Sequence, residues 1–293
     1  SPHIGDLDTL ASTRRYLQAI EQLCRQQTVT PSVHIRDIHP QYHSSESAEQ
    51  KSALLDSQGT VKVGHHFAHA LACRFEHNVK GLALMVVWDG LGMGQSVGWE
   101  ERSKSDGSIN ELWGSEFFVD GGSGQGFPVA ALLPFPLPGG DLAAKQSKRM
   151  GLSLLMACGL PTGDFLHHQF PELTLDQQQL LVRAIEESVQ SPKVRSMGRL
   201  LDGISSLLNL AQENTFEGEA AMALQYAAER GQGIVSNTSL DVPYDFLVIK
   251  NKPGADCPHE LNYQIDWRPM IQQIVRDKKA DMAVDVIAFR VHK

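Results

Sequence analysis

The sequence predicts an α/β protein of two lobes: strands and helices alternating over residues 1–135, then a helix-rich lobe over 136–293. Three observations lead there. Hydrophobic spacing switches between strand and helix periods as far as residue 119 and is almost wholly helical after 141. The apolar run from Gly81 to Trp88 reads as a strand buried on both faces, as in a sheet covered by helices. The Gly- and Pro-rich stretch 121–140 separates the halves and reads as a hinge or lobe boundary. A length of 293 residues suits two lobes, at about 150 residues per domain.

Taken in order, Leu10, Leu17, Ile20 and Cys24 recur at helical spacing and predict a helix over 8–26. Residues 32–38 alternate as a strand, and Pro40 steers His39 away from helical conformation. A polar helix is expected at 45–56, a short strand from Val61 to Val63, and a helix from His65 to Glu76. After the strand at 81–88, Asp89-Gly90-Leu91-Gly92-Met93-Gly94 is expected to turn the chain, with strands following at 96–101 and 111–119. Helices are expected at 141–158, 174–190, 198–210, 216–231 and 266–290. Strands joined by helices imply crossovers and a mixed sheet.

Composition excludes several classes. Hydrophobic residues at 42% and charged residues at 20% support a large core and argue against disorder. A net charge of −8 argues against nucleic acid as a partner, since a phosphate backbone attracts a basic field. A small anion held by backbone N–H groups stays compatible with that charge. The apolar run Leu82–Trp88 falls far short of the roughly 20 residues of a spanning helix, so no membrane partner is expected. The start, Ser-Pro-His-Ile-Gly-Asp, has neither the basic nor the apolar part of a signal peptide. It also lacks an initiating Met, so the chain is expected to have been cut from something longer. Cys24, Cys73, Cys158 and Cys257 are scattered without a CxxC pair, which fits free thiols in a reducing, cytoplasmic setting.

Seven of the 12 histidines fall between residues 34 and 77. His65 and His69, at i and i+4, stack on one helix face and can grip one metal ion. Asp89 stands at the carboxyl end of the apolar strand, the edge where ligands gather in open α/β sheets. Two imidazoles and a carboxylate suit Zn²⁺ or Fe²⁺. The plain alternative is an ordinary histidine pair on a partly exposed helix. A zinc protease of the HExxH type is a poor fit, because His66 stands where its Glu base is required.

Gly90, Gly92 and Gly94 alternate after the strand and let backbone N–H groups face a phosphate. The pattern is neither GxGxxG nor a Walker loop, and a tight hairpin would explain it equally. Gly94-Gln95-Ser96-Val97-Gly98 matches GxSxG, but a strand rather than a helix is expected after it, so no nucleophile elbow forms. Asp202 sits among Leu200, Leu201 and Ile204, and a carboxylate there needs a partner: a ribose diol, or the positive end of its own helix. Thr215 is the expected cap of the next helix. Gly218 at its third position weakens it by about 1 kcal/mol and suggests close approach of a ligand or a backbone.

Eight blocks occur in a fixed order: Pro2-His-Ile-Gly-Asp-Leu7, Asp37-Ile-His-Pro-Gln-Tyr42, His65-His66-Phe-Ala-His69, Asp89-Gly-Leu-Gly-Met-Gly94, Trp113-Gly-Ser-Glu116, Pro134-Phe-Pro-Leu-Pro-Gly-Gly-Asp141, Ser196-Met-Gly-Arg-Leu-Leu-Asp202 and Phe216-Glu-Gly-Glu-Ala-Ala221. Together they resemble the hydrogenase-maturation carbamoyltransferase family HypF, over nearly the whole chain. The resemblance implies a Kae1-like module with the bilobal, actin-like fold built on ribonuclease-H-like sheets, here truncated at both ends. It implies ATP-dependent activation of carbamoyl phosphate to carbamoyl-adenylate and transfer of the carbamoyl group to the C-terminal cysteine of HypE. It further implies that His65, His69 and Asp89 are catalytic and hold one divalent metal, zinc or iron, with magnesium accompanying the nucleotide. Gly90, Gly92 and Gly94 would line the phosphates, and Asp202, Glu217 and Gly218 would sit near the nucleoside.

The sequence departs from the family pattern in places. Ser115 replaces a glycine in the Trp113–Glu116 block, and Gln146-Ser-Lys-Arg149 keeps only the arginine of Glu-Pro-Trp-Arg. The family's acylphosphatase, zinc-finger and YrdC-like parts, and its closing Gly-Gly loop with a further ligand Asp, are not in this sequence. An internal fragment, insufficient for the full reaction, is therefore expected. The competing expectations are a non-catalytic nucleotide- or metal-binding fragment and an unrelated His/His/Asp metallohydrolase.

Overall fold

A computed structural model describes residues 4–5, 7, 9–39, 42–54, 60–93, 111–124, 126–235, 241–251 and 261–293. Among them, no helix is long and apolar enough to cross a membrane. The chain divides into two compact units, Ser1–His69 and Ala70–Lys293.

In the first unit, α1 (Leu10–Gln27) opens on a reciprocal cap. The Thr9 hydroxyl accepts the Ser12 N–H at 3.1 Å, and the Ser12 hydroxyl accepts the Thr9 N–H at 3.2 Å. β1 (His34–Asp37), α2 (His43–Leu54) and β2 (Thr60–Val63) form one crossover, with β1 and β2 parallel from His34 opposite Thr60 to Asp37 opposite Val63. Helix α3 (His65–Glu76) begins two residues after β2 ends and runs on into the second unit.

The second unit is built on a mixed sheet. β3 (Ala83–Met93) lies antiparallel to β4 (Glu111–Asp120). β4 also pairs with β5 (Phe127–Leu132) and with β7 (Lys193–Ser196), while β6 (Phe135–Pro136) pairs with β7. β9 (Tyr263–Asp266) joins β5, and β8 (Leu247–Lys250) closes that edge. The helices are α4 (Asp141–Lys145), α5 (Ser147–Ala157), α6 (Gly163–Gln169), α7 (Leu175–Glu186), α8 (Met197–Leu207), α9 (Glu219–Val235), α10 (Arg268–Lys279) and α11 (Val284–His292).

Four expectations are corrected. First, the Gly/Pro stretch is no hinge: it supplies β5 and β6, both hydrogen-bonded within the sheet. Its prolines are tolerated because β6 is two residues at an edge, and Pro128 lies where the β4–β5 register shifts. Second, Asp89 to Met93 do not turn the chain. β3 continues through them, and the irregularity falls between Trp88 and Gly92, where the register with β4 shifts. Gly94 and the expected strand 96–101 lie outside the described residues. Third, β3 is not buried on both faces. Val87 is buried, but Leu84, Val86 and Trp88, which alternate onto the opposite face, are exposed. Fourth, the expected helix 266–290 is two helices, broken where Asp281 takes the left-handed φ of 55°.

The core of this unit gathers Phe135, Met150, Leu154, Ile204, Leu224 and Ile271 around Trp267. The buried indole packs edge-on to Phe135, and its N–H donates to the Leu133 carbonyl at 2.7 Å, so its one polar atom is satisfied.

Candidate metal and nucleotide site

The parallel register of β1 and β2 decides the first cluster. Because Asp37 ends β1 opposite Val63, the carboxyl end of β1 lies beside the start of α3. His65, the first residue of α3, places Nδ1 3.0 Å from Asp37 Oδ2. The other carboxylate oxygen, Oδ1, accepts the His39 N–H at 2.8 Å. His69 follows one turn along α3, its ring edge-on to that of His65 with centroids 4.9 Å apart. His39 in turn stacks on Tyr42, centroids 4.1 Å apart.

The electrostatics follow from these contacts. Burial pushes the Asp37 carboxyl up, but the His65 hydrogen bond, the His39 amide and the charge of both imidazoles outweigh it and hold the group below its ordinary value. Burial lowers His39, with Asp37 opposing. In the sequence Asp37 stands out only within the Asp37–Tyr42 block. Its signal was a carboxylate at a strand end, preceding His39-Pro40, which the histidine cluster overshadowed.

In the second unit, Asp89 Oδ1 accepts its neighbour Gly90's N–H at 2.6 Å. The Ser196 hydroxyl caps α8 by accepting the Arg199 N–H at 3.1 Å. It also donates to the carbonyls of Asp89 and Gly90. The backbones meet closely here. A Cβ on Gly198 would lie 3.2 Å from Gly90 Cα, and one on Gly114 would lie 2.8 Å from the Asp89 carbonyl oxygen. Glycine at 114 and 198 therefore lets the Asp89–Gly90 segment nest between β4 and the start of α8. Gly92 is buried in β3 opposite Trp113. Buried Glu116, to which no sequence pattern gives a role, accepts the Gly114 N–H at 3.0 Å and ties down the same strand.

Asp202 is only 1% exposed. Arg199 Nη1 lies 3.0 Å from its Oδ2, and Asn214 Nδ2 donates to Oδ1 at 3.4 Å. Burial raises its carboxyl, with Arg199 and Asn214 opposing. Asn214 also accepts the Ala220 N–H at 2.9 Å, so one amide links α8 to the start of α9. Gly218 precedes α9 rather than occupying its third position, and its φ of 79° explains the glycine better than crowding, since a Cβ there would meet nothing within 4 Å. Nor is Thr215 the cap: its hydroxyl donates to Glu219 at 2.8 Å. Glu217 is exposed. Burial pushes the Cys158 thiol up to about 12, which disqualifies it as a nucleophile near neutrality.

The structure thus brings His65 and His69 together in the first unit. In the second, it gathers Asp89, Gly90 and Ser196 at one place and Asp202 with Asn214 at another. The donor types fit a divalent cation of the zinc or iron kind: imidazoles one turn apart, one already backed by a carboxylate.

Residues 1–76 match the HypF Kae1-like domain, and residues 85–293 match the second subdomain of the carbamoyltransferase Kae1-like domain. Carbamoyltransferase HypF of Synechocystis sp. is 32% identical, covering 100% of this chain and 35% of its own length. Carbamoyltransferase HypF of Rhizobium leguminosarum bv. viciae is 31% identical, covering 88% and 32% respectively. The chain thus spans about a third of the curated relatives it matches. A crystal structure of full-length HypF in the phosphate- and nucleotide-bound form superposes with a TM-score of 0.77 at 27% identity, covering 100% of this chain and 33% of that one. HypF of T. kodakarensis, at 23% identity and a TM-score of 0.71, shares the fold over 100% of this chain and 35% of its own. The chain belongs to the HypF family of carbamoyltransferases.

Proposed function

We propose that this chain is the carbamoyl-transfer module of [NiFe]-hydrogenase maturation, working in the cytoplasm with ATP, carbamoyl phosphate and HypE. The observation that carries the reading is the His65–His69 pair, one turn apart at the start of α3, in a chain of the carbamoyltransferase family. The phosphate- and nucleotide-bound state of its structural neighbour supports a nucleotide for this chain as well.

In this reading His65, His69 and Asp89 hold one divalent cation, zinc or iron, with magnesium accompanying the nucleotide. When bound, the cation offsets negative charge on phosphate oxygens. Gly90, Gly92 and Gly94 line the phosphates, their lack of side chains letting the backbone approach closely. Asp202, through Asn214, fixes the turn carrying Glu217 and Gly218 beside the nucleoside. Water cleaves carbamoyl phosphate to carbamate and inorganic phosphate, and a carbamate oxygen then bonds to the α-phosphorus of ATP as the bond to pyrophosphate breaks, giving carbamoyl-adenylate. The acceptor thiol of HypE, losing its proton, then bonds to the carbamoyl carbon as AMP leaves. The mixed anhydride is labile, so the residues around it must exclude water.

The test is ATP–pyrophosphate exchange by the protein in its full reading frame. Exchange dependent on carbamoyl phosphate is expected. Hydrolysis without ATP would instead favour an unrelated metallohydrolase. His69→Ala is expected to abolish stoichiometric metal binding while leaving the circular dichroism spectrum intact. Retained metal by elemental analysis would remove the histidine pair from the site.

A further inference from the structure

We infer that Asp37 is a positioning residue of the metal centre, holding the His65 ring so that Nδ1 carries the proton and Nε2 is the atom offered to the cation. This rests on the metal-binding reading above. Asp37 Oδ2 stands 3.0 Å from His65 Nδ1, in hydrogen-bond range. A carboxylate is acceptor-only, so the proton of that bond belongs to the imidazole, and the neutral ring is then an acceptor, or ligand, only at Nε2.

Asp37 is itself immobilised. Its side chain is 13% exposed, and its second oxygen is occupied by the His39 N–H at 2.8 Å. The carboxylate cannot turn to satisfy His65 differently without losing that bond. Its backbone lies in the β1–β2 ladder, so the carboxylate and the first turn of α3 are fixed by one parallel register. The consequence reaches His69. With the His65 ring pinned, the edge-on arrangement at 4.9 Å leaves the two rings free to differ only through His69's own torsions, so one side of the ligand pair is pre-organised. Outer partners of this kind usually change metal affinity by about 10–100-fold.

The experiment uses the full chain, titrated with Zn²⁺ against a chromophoric chelator, with the His65 tautomer read by long-range proton–nitrogen NMR on the metal-free protein. The wild type is expected to bind one equivalent and to show His65 protonated at Nδ1. Asp37→Asn keeps an oxygen for the His39 N–H but turns an amide N–H toward His65. It should move the proton to Nε2 and weaken Zn²⁺ binding about 10–100-fold. Asp37→Ala should release the tautomer and weaken binding by a similar factor, while the thermal midpoint of Asp37→Asn stays near that of the wild type.

A wild-type His65 protonated at Nε2 overturns the inference without any variant, even if both variants fail to fold. So does a flipped tautomer with unchanged affinity. If the wild type binds no Zn²⁺ and His69→Ala behaves identically, the metal centre itself is wrong. That outcome is distinct from a wild type that binds while Asp37→Asn binds equally well.

Discussion

Gly231→Ala is expected to destabilise the second unit, and Gly233→Ala, two residues along the same helix, to stabilise it. At Gly231 an added Cβ would lie 2.0 Å from the Asp285 carbonyl oxygen, 2.6 Å from its carbon and 3.0 Å from Phe289 Cβ. Two of those atoms are backbone, so no rotamer change relieves the clash and α9 must move away from α11. Separation would loosen Leu224, Ala227, Ile287 and Ala288, all buried in the main cluster. Overpacking costs about 1–3 kcal/mol and more where backbone must shift, against a gain of about 1 kcal/mol from alanine's helix propensity. A net loss of about 2 kcal/mol corresponds to a fall in Tm of about 4–8 °C for a unit of this size. Gly233 is exposed and its Cβ would meet nothing within 4 Å, so the propensity gain of about 0.5–1 kcal/mol stands unopposed. The exposed Arg230–Asp285 pair, with its 2.8 and 3.0 Å bonds, spans the same helices and is intact in Gly233→Ala. Thermal and urea unfolding of both variants decides the point. Shifts of the same sign would mean that α9 and α11 do not pack on Gly231.

What the sequence revealed and what it hid divide along physical lines. α1, α3, β1, β2, β4 and the first part of β3 were legible because apolar patterning is a local property, and α2 as a polar stretch between two strands. The i, i+4 relation of His65 and His69 was legible for the same reason. Burial of β3 was not: Leu84, Val86 and Trp88 are as apolar as a covered strand, yet what covers a face is decided by distant chain. β7, β8 and β9 have four residues each, too few to show a period, and they exist because β4 and β5 offer edges to pair with. Asp37 escaped notice because its contact with His65 spans 28 positions and depends on the parallel register of β1 and β2. Asp202 invited a ligand by its apolar neighbours, but sequence spacing did not show that Arg199, one turn back, and Asn214, across a loop, already flank it.

Arg74→Met is expected to destabilise the second unit strongly. The Asp120 side chain is 0% exposed, and Arg74 Nη1 stands 3.2 Å from its Oδ2. The same guanidinium donates to the Asp120 carbonyl at 3.0 Å and, through Nη2, to the Gly81 carbonyl. Since Ala83 lies opposite Asp120, Arg74 binds the approach to β3 and the end of β4 with one planar group. Methionine preserves much of the stem but removes every donor. Ser123, 3.5 Å from Asp120 Oδ1, cannot substitute for a charge. Stranding a buried carboxylate costs about 3–5 kcal/mol. A cavity of about 470 Å³, lined by Arg74, Asp120, Lys80 and Gly122, admits water to the orphaned group and sets the expectation at the low end, about 3 kcal/mol. Removing both charges in Arg74→Met/Asp120→Leu should recover most of that loss, because the penalty comes from the unpaired charge and not from the absent bond. Urea unfolding of the two singles and the double measures this directly. If the double variant were as unstable as the sum of the singles, the pair would be energetically uncoupled, and the junction of β3 and β4 would owe its order to the strand ladder alone.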